Sequence, residues 1–341
     1  MKEDLIIDGS MGEGGGQVLR TSLALSLVTN RPFHIKKIRA GRKRPGLLQQ
    51  HLTAVNAVVE IGDAEVQGAA IGSTELYYNP GKVRPGDYTF TVGTAGSTTL
   101  VLQSVLPALI TADRPSKLVI EGGTHNPYAP PFDFLEKSFL PCLRRMGPRC
   151  SCILDRPGYY PAGGGRLTIT IDPADRLEPV EINERGKAVH HNAYAVICQL
   201  SPQIGKRELG ILKKMLNWED NCLRLVEMHK SKGPGNVLVT ELAFEHITEV
   251  FTGFGERGVS AEKVAEGVVK EIEEYLSAGV PIGKYLADQL LLPLAMSGSG
   301  SFRTLPPTKH TLTNIDVIRK FLNIDIRCEE IDKKIWQISL G

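Results

Sequence analysis

Short apolar runs alternate along the chain with glycine- or proline-rich turns and with longer stretches whose apolar positions fall three or four apart. Leu5-Ile6-Ile7 runs into Asp8-Gly9-Ser10-Met11-Gly12-Glu13-Gly14-Gly15-Gly16-Gln17, and an apolar segment, Val18 to Leu27, leaves it. The pattern predicts strand, glycine-rich turn, helix. Phe33 to Ile38 alternates as a strand. Leu47 to Ile61 places Leu48, Leu52, Val55 and Val58-Val59 at helical spacing, and Ala64 to Gln67 and Glu75 to Tyr78 read as closing strands. The same order returns from about residue 86. Tyr88 to Val92 is a strand, Gly93-Thr94-Ala95-Gly96-Ser97 a turn and Thr98 to Ile110 a helix. Lys117 to Glu121 is a strand, Phe132 to Met146 a helix, and Cys150 to Leu154 and Arg166 to Ile171 are strands.

A third copy reads as split. Its opening strand is either shared with the end of the second copy or next to Gly279 to Gly283. Helices follow at Ala287 to Met296 and from Leu312 to Phe321, with closing strands at Asp325 to Glu329 and Ile335 to Leu340. Between the second and third copies the character changes. Ala193 to Leu200 is a strand, Ile204 to Leu216 a helix, Cys222 to Met228 and Val237 to Ala243 strands. Ser260 to Leu276 is an amphipathic helix with Val264, Val268, Ile272 and Leu276 on one face. The expected fold is α/β (α+β): three repeats of a four-stranded sheet covered by two helices, packed with pseudo-threefold symmetry, plus a small inserted β-α-β-β-α domain. The expected division is 1–181 with 279–341 for the three repeats and 182–278 for the insert.

Composition narrows the class. Apolar residues at 42% and charged residues at 23% describe an ordinary water-soluble chain, and a net charge of +2 leaves any nucleic-acid site to a local patch. No run of 18 or more apolar residues marks a membrane span, and Met1-Lys2-Glu3-Asp4 lacks the apolar core of a signal peptide. Six scattered cysteines are too few for a disulfide scaffold and point to reduced thiols in the cytoplasm. Cys150-Ser151-Cys152, the one close pair, lacks the second pair or nearby histidines that a metal cluster needs.

Candidate chemistry clusters in a few stretches. The glycine loop can bring backbone close to an anion at a helix N-terminus; Glu13 within it is either incidental to a tight turn or a ligand for a divalent cation. It matches neither common phosphate-loop motif. Six of the nine residues 36–44 are basic, a phosphate-binding segment or a solvated edge. Gln49-Gln50-His51 offers donors on the next helix. Thr124-His125-Asn126-Pro127-Tyr128-Ala129-Pro130-Pro131 is a loop stiffened by proline. Tyr285-Leu286-Ala287-Asp288-Gln289 offers an aromatic ring and two side chains able to read a base edge. In Pro306-Pro307-Thr308-Lys309-His310-Thr311-Leu312-Thr313-Asn314 a histidine precedes a helix, whose dipole disfavours a cation and so favours a neutral, nucleophilic imidazole. Read alone, His310 is first of all a surface histidine in a loop, and Lys309 either stabilises phosphate charge or is solvated.

Taken together and in order, these stretches resemble the RNA 3′-terminal phosphate cyclase family. The likeness runs from Gly12-Glu13-Gly14-Gly15-Gly16-Gln17 through Arg39-Ala40-Gly41-Arg42, Gln50-His51-Leu52-Thr53-Ala54-Val55, Gly96-Ser97, Leu102-Gln103, Tyr160-Pro161-Ala162-Gly163-Gly164-Gly165, Gly233-Pro234-Gly235-Asn236 and Tyr285-Leu286-Ala287-Asp288-Gln289 to His310 with Leu312-Thr313-Asn314. The resemblance implies that the insert is thioredoxin-like; no C-x-x-C supports a redox role there. It also implies an ATP-dependent ligase of RNA processing and repair. A histidine takes AMP from ATP, passes it to an RNA 3′-phosphate to give RNA-(3′)pp(5′)A, and the 2′-hydroxyl displaces AMP to leave a 2′,3′-cyclic phosphate. On this likeness His310 is the nucleophile and Glu13 the ligand of Mg²⁺ or Mn²⁺. Gln103, Pro130, Tyr285, Asp288 and Gln289 form the adenylate pocket, and Arg20, Arg39 and Arg42 surround the phosphates and the RNA end. A branch of the family that acts in ribosomal RNA processing lacks the histidine that this chain has. Enolpyruvyl transferases repeat similar units but lack the insert. The RNA used and the oligomeric state, a homodimer among the options, stay open.

Overall fold

The computed structural model describes residues 5–341; Met1-Lys2-Glu3-Asp4, where no signal peptide was expected, lies outside them. Three sheets share one pairing pattern: a parallel first pair, then two antiparallel pairings. In the first, β1 (Leu5–Asp8) is parallel to β2 (Phe33–Lys36), and β3 (Glu65–Gln67) and β4 (Leu76–Asn79) complete the order β1-β2-β4-β3. In the second, β5 (Asp87–Thr91), β6 (Ser116–Gly122), β7 (Arg149–Arg156) and β8 (Gly165–Asp172) are ordered β5-β6-β8-β7.

The third sheet resolves the split copy. Its opening strand is β9 (Glu181–Ile182), which pairs in parallel with β14 (Gly300–Thr304), followed by β16 (Ile335–Leu340) and β15 (Ile326–Asp332). The chain leaves this sheet after Ile182 and rejoins it where Ile282 bridges Thr304. β14 was not legible as a strand: in Gly-Ser-Phe-Arg-Thr only Phe302 is apolar, and it alone is a large side chain driven fully inside.

Helices α1 (Gly16–Thr29), α2 (Gln49–Gly62), α3 (Thr98–Leu109), α8 (Lys284–Ser297) and α9 (Lys309–Phe321) cover these sheets. α1 is central. It packs on α2, α3 and α9, and every residue from Gln17 to Leu27 except Arg20 is buried. A helix apolar on all sides has to be enclosed, and its burial puts its N-terminal glycine loop at the meeting point of the neighbouring helix starts. The predicted helix from Phe132 is broken into α4 (Phe132–Phe134), a π-helical turn over Leu135–Phe139 and α5 (Leu140–Arg145). Pro141 lacks the N–H needed to continue α-helical bonding at that point.

The segment expected to be an insert contains a fourth four-stranded sheet. β10 (Ala188–Cys198) is parallel to β11 (Leu223–Met228), and β12 (Gly235–Phe244) and β13 (Thr248–Phe254) add antiparallel strands in the order β11-β10-β12-β13. α6 (Pro202–Leu216) and α7 (Ala261–Ala278) pack against it with their own core, including Leu212, Leu238, Val269 and Ile272. β13 is one strand more than the hydrophobic pattern predicts. Its sequence carries a glycine and a buried Glu249, both of which obscure a strand signal. The cysteines are free. Cys150 and Cys152 are buried, and burial pushes both thiols up to about 12. No cluster of three or more metal-ligating side chains exists among the described residues. No described helix is long and apolar enough to cross a membrane.

Candidate active site

The glycine loop is folded by its own contacts. Asp8 Oδ1 accepts the Ser10 N–H at 2.9 Å, starting the turn. Gly12 adopts φ +58° against α9, where a Cβ would lie 1.9 Å from Thr313 Oγ1. The next N–H, of Glu13, donates to that hydroxyl at 3.1 Å, and the hydroxyl donates to Lys309 O at 2.6 Å. The loop is thereby stapled to the first turn of α9. Gly16 starts α1 with His51 and Arg20 pressed against it: a Cβ there would meet His51 Nε2 at 2.4 Å and Arg20 Nη1 at 2.8 Å.

α9 begins earlier than its apolar spacing predicts. Thr308 caps it, its Oγ1 accepting the Thr311 N–H at 3.1 Å, so His310 lies inside the first turn rather than before the helix. A hydrogen-bonded chain orients the ring. Gln17 Nε2 donates to Asp288 Oδ1 at 2.6 Å, which turns Gln17 Oε1 toward His310 Nδ1 at 3.1 Å. Because Oε1 can only accept, Nδ1 carries a proton, and Nε2 is the ring atom left facing the cavity. Nε2 is 3.2 Å from Glu13 Oε2. Asp288 is held by further donors, Asn314 Nδ2 at 3.1 Å and Gln289 Nε2 at 3.1 Å. Asn314 Oδ1 in turn accepts Thr21 Oγ1–H at 2.9 Å. Burial raises the Asp288 carboxyl; His310, the amide donors and Arg20 oppose that.

Three arginines face the same space. Arg42 ion-pairs with Glu13, whose side chain is only 9% exposed. Arg20 donates to Gln103 Oε1 at 3.3 Å, and burial lowers its guanidinium to about 10, still a cation at neutral pH. Arg39 is buried, with Nη1 donating to the carbonyls of Arg44 and Gly46 at 2.7 Å each, so it also braces the basic loop. His51 Nδ1 accepts the Leu48 N–H at 3.3 Å, which leaves the proton on Nε2. Burial, reinforced by Arg20 and Arg39, lowers this imidazole to about 3 and keeps it neutral.

All ten residues singled out from the sequence line one cavity of about 740 Å³: Glu13, Arg20, Arg39, Arg42, Gln103, Pro130, Tyr285, Asp288, Gln289 and His310. Tyr285, Asp288 and Gln289 share the first turns of α8, with Gln103 donating to Gln289 Oε1. Tyr285 is half-exposed at the rim, its hydroxyl donating to Glu271 at 3.0 Å. Pro130 stands on the 124–131 loop, and its carbonyl accepts Thr99 Oγ1–H at 2.6 Å. Gln50 and His51 join the lining; Lys309 is exposed outside it. His125 is 4% exposed, outside the lining, and occupied by Asp133 and Thr124, so it is no rival to His310.

Sequence reasoning gave no part to Gln17, Thr313 and Asn314, although all three sit in stretches it quoted. Their amides and hydroxyl act through partners about 270 to 300 residues away, which local pattern cannot reveal. It also missed Val250, Thr252 and Phe254 of β13, which line one wall.

Fold and site together define a mixed α/β protein with four-stranded sheets in which a glycine loop, a histidine and three arginines converge on one cleft. A sequence profile of the RNA 3′-terminal phosphate cyclase family matches residues 11–328. A protein of Koribacter versatilis named RNA 3′-terminal phosphate cyclase is 50% identical over 326 residues, covering 96% of this chain and 92% of that protein. Proteins of the same name from Ectopseudomonas mendocina and Ralstonia nicotianae are 46% and 49% identical, covering 100% and 98% of this chain and 99% and 96% of their own. The chain belongs to the RNA 3′-terminal phosphate cyclase family.

Proposed function

We propose that this protein is a ligase that uses ATP to convert an RNA 3′-terminal phosphate into a 2′,3′-cyclic phosphate, through AMP carried on His310. The observation that carries the reading is the orientation of that imidazole. Asp288 turns the Gln17 amide, the amide holds Nδ1–H, and Nε2 points to Glu13 Oε2, 3.2 Å away, on the wall of the cavity that Arg20, Arg39 and Arg42 also line. In the first step the Nε2 lone pair forms a bond to the α-phosphorus, the bond to the β-phosphate oxygen breaks, and pyrophosphate leaves. The arginines neutralise charge on the phosphate oxygens. In the second step an oxygen of the RNA 3′-phosphate attacks the same phosphorus and the N–P bond breaks, restoring the imidazole. In the third the neighbouring 2′-oxygen attacks the 3′-phosphorus, its proton passes to water, the bond from that phosphorus to the AMP phosphate oxygen breaks, and AMP leaves; the nucleophile is already in place on the same ribose. Tyr285, Pro130, Gln103, Asp288 and Gln289 hold the adenylate, and the basic segment 36–44 receives the RNA end.

A divalent ion fits here with Glu13 as its protein ligand, since Mg²⁺ and Mn²⁺ are commonly held by one or two carboxylates plus nucleotide phosphates and water. Such an ion would add positive charge beside the phosphates. Residues 1–181 with 279–341 form the catalytic body in this reading and 182–278 an attached unit, and the free cysteines, five of them buried, suit a reducing, cytoplasmic setting.

The test is incubation with ATP labelled at the α-phosphate. Wild-type protein should retain label as a phosphoramidate, labile in acid and stable in alkali. His310→Ala should lose the adduct and the cyclisation of 3′-phosphate RNA by more than about 10³-fold. Retention of an acid-labile adduct by the variant would overturn the assignment.

A further inference from the structure

The inserted unit reaches the cavity at two buried points, and each holds a different wall. β13 lies at the edge of the inserted sheet and lends Val250, Thr252 and Phe254 to the lining. Glu249, just before them, is 2% exposed, and its Oε1 accepts the N–H of Gly283 at 2.6 Å. Gly283 is the N-cap of α8, the helix that carries Tyr285, Asp288 and Gln289. A Cβ on Gly283 would lie 3.1 Å from the Glu249 carboxyl carbon, so cap and carboxyl are in direct contact.

The carboxyl is fully enclosed. Burial pushes it up to about 8, opposed only by the backbone N–H groups of Gly283 and Val250. An acid buried without a compensating cation is a poor way to fill a core. Its geometry suits helix capping instead, because a free N–H at a helix start is satisfied by an oxygen acceptor placed at that end.

The second point is Tyr194 on β10. Its hydroxyl donates to Asp133 Oδ1, and the other oxygen of Asp133 is 3.0 Å from His125 Nε2. His125 Nδ1 meets Thr124 Oγ1 at 2.8 Å. His125 and Asp133 bracket the turn that contains Pro130, a wall of the cavity separate from α8. His125 and Asp133 are buried and Tyr194 is largely so, so water does not substitute readily for the contacts.

We propose that Glu249 and Tyr194 are positioning residues through which the inserted unit sets both walls of the nucleotide cavity, Glu249 by fixing the start of α8 beneath Tyr285 and Gln289, and Tyr194 by fixing the loop that carries Pro130. The inference rests on the ATP reading above and assigns the insert a part in it. Neither residue lines the cavity.

The test measures equilibrium binding of ATP together with the ATP dependence of covalent AMP formation, on the full-length protein. Glu249→Ala is expected to raise Kd and KM for ATP about tenfold while kcat at saturation changes less than about threefold. Glu249→Gln keeps an oxygen acceptor for Gly283 and should stay within about twofold of wild type. Tyr194→Phe, which preserves shape, should raise both constants severalfold, and it serves if Glu249→Ala does not fold. A merely structural role would lower thermal stability without this split or the rescue by glutamine. Unchanged Kd and KM in a folded Tyr194→Phe or Glu249→Ala overturns the proposal while the ATP reading stands. Wild-type protein that neither binds ATP nor takes label overturns that reading and this one with it.

Discussion

Glu13 is the residue on which the site's electrostatics turn. It is the one carboxylate in the glycine loop, nearly buried, and shared between Arg42 and His310 Nε2. Removing it leaves Arg42 unpaired beside other cationic and donor groups and takes away the carboxylate proposed above as the ligand of a divalent ion. We expect Glu13→Ala to slow covalent AMP formation about 100-fold or more at saturating metal, with a smaller effect on ATP affinity, because the lost charge acts mainly in the transition state. A Mn²⁺ titration of adduct formation checks this; a wild-type rate at every concentration would exclude the role. His51 shows how residue identity alone misleads. Next to Arg20 and Arg39 and enclosed by α1, it is a neutral donor lowered to about 3, not a titrating switch.

At the scale of elements, the candidate site is a junction of helix starts. α1 begins at the glycine loop, α9 at Thr308, α8 at Gly283, and the loop and Gly283 are each tied to another element rather than to solvent. Gly12 is the tightest of these ties, since it needs φ +58° and leaves no room for a Cβ against Thr313. Gly12→Ala should lower folding stability by about 1–3 kcal/mol and disturb His310 through α9. Gly93, with φ +73° and open space around it, is the control: its alanine variant carries the backbone cost alone. Denaturant midpoints of the two variants compare the terms; equal losses would show that the loop and α9 are not closely stapled.

At the scale of the whole molecule, the buried Glu249 makes stability depend on pH in a defined direction. Its carboxyl is raised from 4.5 to about 8 in the folded protein. Below 4.5 it is protonated in folded and unfolded chains alike. As pH rises toward 8 the unfolded chain ionises it while the folded chain keeps the proton, so stability falls, by up to about 1.4 kcal/mol per pH unit, and levels off above 8. The titratable groups that face it do not share this window: burial pushes Cys142 on α5 up to about 12 and also raises Tyr275 on α7. Glu249→Gln should therefore gain stability relative to wild type steadily from about pH 5 to pH 8 in urea unfolding. A difference that is flat with pH would show that Glu249 ionises as freely in the folded protein as in the unfolded chain.

Much of this molecule was written in local pattern. Periodicity located α1, α2 and α3 and all eight strands of the first two sheets, because their apolar positions are dense and regular, and the glycine loop, the 124–131 loop and the stretch around His310 stood out by composition. The ten candidate residues come from the family likeness that those stretches carry, and the fold brings all ten to one cavity. Other features depended on tertiary contacts. β14 and β13 are strands only because neighbouring strands complete their hydrogen bonds, and β9, two residues long, has no signal of its own. Gln17, Asn314 and Thr313 take their parts from partners on distant helices, and Glu249 from a helix cap on another unit. Hydrophobic spacing reports which face of an element is buried. It carries no record of which polar group another element will bring to that face, and that is decided only when the helix starts meet.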